Sequence, residues 1–236
     1  MRFLSLSILS IFLFVQTAAA DQNPQETLSD ALSVVNEMLN TPDEHIPKDL
    51  FAQAQAIIIF PTMLKGGFMF AVRGGKGVAS VRSKETGKWG PPAFLYTTGL
   101  SFGLQIGVEA VDLILLVMSQ RGMEGLIKDQ FTLGGDIAVA VGPVGRHAEA
   151  AADILMQGEI YAYSRSKGAF AGLSVKGTVI TEDKDANHGY YEEPLSAKEI
   201  LTGGKVKIYP QTTKRFIEGL NRAVPPRTGS PRKSLP

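Results

Sequence analysis

The stretch GLSFG, Gly99 to Gly103, has the G-x-S-x-G form in which a serine nucleophile sits on a sharp strand-to-helix turn. Such a serine draws on an acid and a histidine later in the chain, and Asp136 with His147, or Asp183 with His188, follow in that order. The residues after it, LQIGVEAVDLILLV, are strand-like, and no alternation of strand and helix surrounds Ser101. The elbow that exposes a nucleophile therefore lacks its setting, and hydrolysis through Ser101 stands as an alternative only.

Metal chemistry fares no better. DKDANHGYYEEP sets Asp183, Asp185 and Asn187 at alternate positions, as a calcium loop begins. His188 then stands where that loop needs glycine, and Pro194 where it needs a bidentate glutamate. An Asx-rich turn accounts for the stretch better. The three histidines, His45, His147 and His188, are dispersed and the chain has no cysteine, so no zinc set is expected. RGGKGV and GPVGRHAEA miss the phosphate-loop and dinucleotide patterns. The sequence predicts neither an enzyme nor a cofactor.

What remains is basic and apolar side chains in alternation. YSRSKGAFAGLSVKG places Arg165 and Lys167 in a glycine-punctuated turn, with Phe170 behind them and Lys176 further on. Arg73, Lys76 and Arg82 follow Phe68 in an earlier strand-like run. A cation beside an apolar group pairs with phosphate while its neighbour meets acyl chains, which makes these eight residues candidates for an anionic lipid surface. Taken singly, each cation also fits an exposed turn charge.

The elements that must position them are legible as periodicity. In QETLSDALSVVNEMLN the residues Leu28, Ala31, Leu32, Val35, Met38 and Leu39 share one helical face, and the polar face carries Glu26, Asp30 and Glu37 with no Lys or Arg. That is a helix packed on a core; a membrane-surface helix favours basic residues. A second short helix begins near Pro47. AIIIF is a strand that Pro61 is expected to stop, followed by two strands about a turn at Gly74-Gly75 and a polar turn over 83–88. Gly99, Gly103 and Gly107 fall on one face of the next strand, where close backbone approach or curvature needs glycine, and VDLILLVM is expected to be fully buried. Gln105, Glu109 and Asp112 argue against a membrane span there. RGMEGLIKD is a short helix. FTLGGDIAVAVGPVG and DILMQGEIYAYS resume strands, the latter pairing with AFAGLSVKGTVITED, and LSAKEILTGG is a last short helix. The expectation is α+β: a single domain with an antiparallel β-sheet core and short flanking helices.

Domain limits follow from composition. MRFLSLSILSIFLFVQTAAADQ has a basic n-region at Arg2, an apolar h-region from Leu4 to Val15, and Ala18-Ala19-Ala20 before Asp21, the form of a signal peptide cleaved after Ala20. Its h-region falls short of the roughly 20 residues of a span. Residues 1–20 are thus read as a leader, 21–204 as the domain and 205–236 as a basic, Pro-rich tail expected to be disordered, ending in VPPRTGSPRKSLP with Arg227, Arg232 and Lys233. The location expected is periplasmic or secreted. The chain holds 24 Lys and Arg against 23 Asp and Glu, and loss of Arg2 with the leader leaves the remainder balanced, which excludes nucleic acid as the main partner. An exported chain without cysteine must be stabilised by its core rather than by disulfides.

Several stretches together resemble the SYLF-domain family: GKGVASVR, WGPPAFLY, SFGLQIGVEAVDLILLVM, FTLGGDIAVAVGPVGRHAEA, YSRSKGAFAGLSVKG, KDAN and AKEILTGG. They keep the family's order and run from about Glu26 to Gly204. The resemblance implies a single α+β domain that binds phospholipid, with phosphoinositide and actin binding described for eukaryotic members. This sequence departs from them in its first helix, which lacks their basic residues, and in its leader, which directs it away from actin. The partner expected is an anionic phospholipid or membrane surface, with a protein partner reached through the C-terminal tail or through an envelope scaffold role as the alternative.

Overall fold

Two long runs of β-branched, aromatic and glycine residues set the architecture. The computed structural model describes residues 23–41, 45–144, 158–166, 169–170, 175–202, 204–206 and 209–225, with backbone pairing alone at 66–72, 100–108 and 169–170. β1 (Ala56–Val81) and β2 (Ala93–Val117) pair antiparallel along nearly their whole length, from Ala56 opposite Val117 to Ala79 opposite Ala93. A tight turn closes the ribbon. Ser83 N–H donates to the Lys88 carbonyl and Gly87 N–H to that of Ser83, with Gly87 at a φ of 68°.

Pro61 does not stop β1. The strand passes through it with a register shift between Phe60 and Met63, and a bulge there spares the ladder the N–H that proline lacks. The extra residue, Thr62, takes a φ of 56°, and its N–H donates to Asp112 Oδ1 at 3.1 Å. Nor is there a turn at Gly74-Gly75: both residues lie inside β1, opposite Thr98 and Thr97.

The far edge of β2 is shared by two strands. β7 (Thr178–Glu182) pairs with its beginning, Leu95 to Gly99, and β5 (Ile160–Ser166) with its end, Val111 to Val117. β3 (Gln130–Thr132) extends the sheet beyond β7, β4 (Val139–Val141) beyond β5, and β6 (Ala169–Phe170) turns back on β5. Among the described strands every pairing is antiparallel except β4 with β5. The expected long strand 169–182 on β5 is thus divided: β6 keeps that pairing, whereas β7 joins β2 and β3.

Alternation along the strands builds two cores. Ile57, Ile59, Ile114 and Leu116 face α1 (Pro24–Asn40), α2 (Lys48–Gln53) and a C-terminal helix. Ala56, Ile58, Phe60, Leu113 and Leu115 face α3 (Gln120–Leu126) and α5 (Ala197–Thr202). Strands covered on both faces need continuous apolar runs, which is why AIIIF and VDLILLV lack polar alternation. The Asp183 stretch is α4 (Lys184–Tyr191), not an isolated turn: the Asp183 carboxylate caps it by accepting from Ala186 N–H. Buried Asn187 then fixes α4 to β2, accepting from Phe94 N–H at 2.7 Å and donating to the Phe94 carbonyl at 3.2 Å. α5 starts at a capping box made by Ser196 and Glu199, with Glu182 accepting from Ala197 N–H.

The largest correction concerns the tail. Residues assigned to a disordered segment from 205 onward include α6 (Gln211–Ala223), whose Thr213, Phe216 and Leu220 are buried in the core it shares with α1. Residues 1–22 and 226–236, where the sequence suggests a leader and the last basic positions, lie outside the described residues.

Candidate functional site

The candidate cations do not converge. Arg165 faces Asp112 across the β5–β2 pairing, near the end of β2, whereas Lys76 faces Tyr96 near its start. Arg165 is also not a solvent-facing hairpin tip. Its side chain is 11% exposed, and it donates to Asp112 Oδ2 through Nη2 at 2.7 Å and to Glu37 Oε2 of α1 through Nη1 at 2.6 Å. Burial alone lowers the guanidinium's pKa, but the hydrogen bonds and charges of Asp112 and Glu37 outweigh it and raise it. Two carboxylates neutralise this cation and tie three elements together, so what the sequence presents as an exposed turn charge is an internal ion pair.

Arg73, Lys76 and Arg82 are engaged within the fold as well. Arg73 is 1% exposed, and burial lowers its pKa. Its stem lies across Gly99, where a Cβ would come within 3.1 Å of Nε, so the close approach read from the glycine spacing is made by this side chain. Lys76 pairs with Asp183 at 3.6 Å. Arg82 stacks on Trp89, 4.2 Å from its ring centroid, while Nη1 donates to the Gly87 carbonyl at 2.7 Å. Lys176 is exposed, its stem beside Gly134. Phe68 stands opposite Ile106 in β1 and Phe170 opposite Arg165 in β6. Lys167 and His147 lie outside the described residues. Ser101 sits inside β2 opposite Ala71, away from any strand-to-helix turn.

Besides Lys176, α6 gathers exposed positive charge on one helix. Lys214, Arg215 and Arg222 are exposed, and none forms an ion pair among the described residues. Arg215 and Arg222 border a groove of about 450 Å³ between α6 and α1, lined also by Leu32 and Asn36 of α1 and by Glu218, Gly219 and Ala223 of α6. Residues seven apart lie on nearly the same face of a helix, about 10.5 Å apart along its axis, so both arginines border one groove. Gly219 sets how closely the helices approach: a Cβ there would fall 2.5 Å from Leu32 Cδ2. Sequence reasoning missed this helix because the prolines and charges that follow it resemble a tail. The signal that finds it is Thr213, Phe216 and Leu220 at helical spacing, beginning just after Pro210.

Among the described residues there is no helix long and apolar enough to cross a membrane, and no group of three metal-ligating side chains.

A model of the family described as "Ysc84: Las17-binding protein actin regulator" matches residues 98–223. Among curated proteins, the chain is 36% identical over 165 residues to the SH3 domain-containing YSC84-like protein 1 of Homo sapiens, covering 70% of this chain and 48% of that protein. It is 39% identical over 164 residues to LAS seventeen-binding protein 3 of Saccharomyces cerevisiae (strain YJM789), covering 68% of this chain and 35% of that protein. To the Protein YSC84 of Saccharomyces cerevisiae (strain ATCC 204508 / S288c) it is 39% identical over 171 residues, covering 71% and 36%. The chain thus matches about half the length of the mammalian relative and about a third of the yeast ones.

Proposed function

Since this chain belongs to the Ysc84 family, whose domain is the SYLF domain, we propose that it works by binding rather than by catalysis, and that its ligand is an anionic phospholipid surface. The observation that carries this reading is the unpaired positive charge of Lys214, Arg215 and Arg222 on one helix, in a domain whose strand-borne arginines are turned to internal contacts. Each cation held near an anionic surface contributes about 1 kcal/mol, fading within a Debye length, so three give useful attraction at low salt. Vesicle flotation tests it. The protein should float with anionic vesicles and not with zwitterionic ones, and less so as salt rises. Equal flotation with both, or none with either, rejects it.

The leader supports a periplasmic or secreted location. Mass spectrometry of the processed protein should find Asp21 at its N-terminus; a retained Met1 argues against export. A second reading is supported by the family's description, which names Las17 binding and actin regulation, and by the name of the yeast LAS seventeen-binding protein 3. Under it the chain is an interaction module for another protein, with the basic residues beyond 225 as a further contact. Co-sedimentation with candidate partners in the absence of lipid separates the two.

A further inference from the structure

The groove between α1 and α6 has more chemistry than a generic basic surface. Its floor is apolar, made by Leu32, Gly219 and Ala223, and its rim carries two guanidiniums, one carboxylate and one carboxamide, from Arg215, Arg222, Glu218 and Asn36. All four rim residues are exposed, and no ion pair among the described residues occupies either arginine. Guanidinium forks recognise phosphate oxygens bidentately. A carboxylate between them repels bare anions but accepts hydrogen bonds from hydroxyl groups, and the carboxamide of Asn36 both donates and accepts. Phosphate alone offers nothing to Glu218, whereas a phosphate ester with free hydroxyls offers a hydrogen-bonding group to each of these side-chain types.

We propose that this groove is a headgroup pocket for lipids whose phosphate carries a hydroxyl-bearing substituent, with Arg215 and Arg222 on the phosphate and Glu218 and Asn36 on the hydroxyls. This rests on the lipid-binding reading above and adds to it a defined pocket and a selectivity. Glycine at 219 leaves Leu32 its place in the groove wall, since a Cβ there would fall 2.5 Å from Leu32 Cδ2 and force it to shift.

The test compares flotation on phosphatidylglycerol vesicles with flotation on phosphatidylserine vesicles of matched surface charge. Wild type should prefer phosphatidylglycerol. R215K/R222K retains the charge but loses the forks, and should bind phosphatidylglycerol about tenfold more weakly with an unchanged melting midpoint. Glu218→Gln should strengthen binding to phosphatidylserine and erase the preference. Gly219→Ala, which alters no charge and meets only the flexible end of Leu32, should weaken phosphatidylglycerol binding alone. If wild type floats but the lysine variant and Gly219→Ala behave identically to it, the pocket is rejected while surface lipid binding stands. If wild type floats with neither vesicle, both readings are rejected. Calorimetry with soluble glycerol phosphate then separates sources: binding there without flotation overturns the lipid and assigns the groove to a free phosphate ester.

Discussion

Arg165 and Asp112 stand directly opposite one another in the β5–β2 pairing, and the guanidinium that joins them reaches on to Glu37 of α1. The pair therefore fixes the first helix to the sheet as well as one strand to another. Glu37 is half-exposed, so the part of the arrangement shielded from water is Arg165 with Asp112.

Arg165→Ala should accordingly act on stability. It leaves the partly buried Asp112 carboxylate without its cation, a loss of about 2 kcal/mol for a charged hydrogen-bonded group. Chemical denaturation should show a lower midpoint with an unchanged slope, and flotation of the folded variant should match wild type. Reduced flotation at unchanged stability would restore Arg165 to the lipid surface.

Asn187→Leu should destabilise by roughly 2–3 kcal/mol. The substitution nearly preserves volume but takes the side-chain acceptor from Phe94 N–H in a buried setting, while the Phe94 carbonyl keeps the bond from Asp183 N–H. Hydrogen exchange at the Phe94 amide should accelerate well beyond that of its neighbours in β2.

Glu199 supplies a pH dependence. Its carboxyl is lowered to about 2, first by the hydrogen bond from Lys205 and then by those from Ser196. A depressed carboxylate stabilises the fold above its unfolded pKa, near 4.3, and loses that contribution as pH falls toward 2. The denaturation midpoint of wild type should exceed that of Glu199→Gln at neutral pH, and the gap should close between about pH 4.5 and pH 2. A constant gap across that range would assign the difference to the cap geometry instead of the charge.

The elements most readily legible in the sequence were those with one strong period. The apolar run Val111 to Val117 and the face of α1 both declare burial by residue type alone, and the polar turn at 83–88 by its composition. The strand count was harder because Pro61 and Gly74-Gly75 are usual breakers, and only pairing with β2 along the whole ribbon carries β1 through them. That pairing is tertiary and has no local signature. Cations were legible as charges but not as free charges: nothing near Arg165 in sequence shows that Glu37 and Asp112 surround it. The groove escaped notice for a related reason, since Leu32 and Gly219 meet only in the folded chain.

The ribbon of β1 and β2 also fixes the order in which this domain can assemble. Its pairing starts beside the turn, at the Arg82–Trp89 bridge, and the ladder from Ala79 and Ala93 onward adds pair to pair. β5 and β7 must wait, because both dock on the other edge of β2 across longer loops. Zipping from the turn at 83–88 is thus the step with the smallest loop-closure cost. Lengthening that turn with glycines should slow refolding while leaving the unfolding rate nearly unchanged, the kinetic signature of a nucleus. In stopped-flow measurements the folding arm of the chevron should fall and the unfolding arm should stay in place.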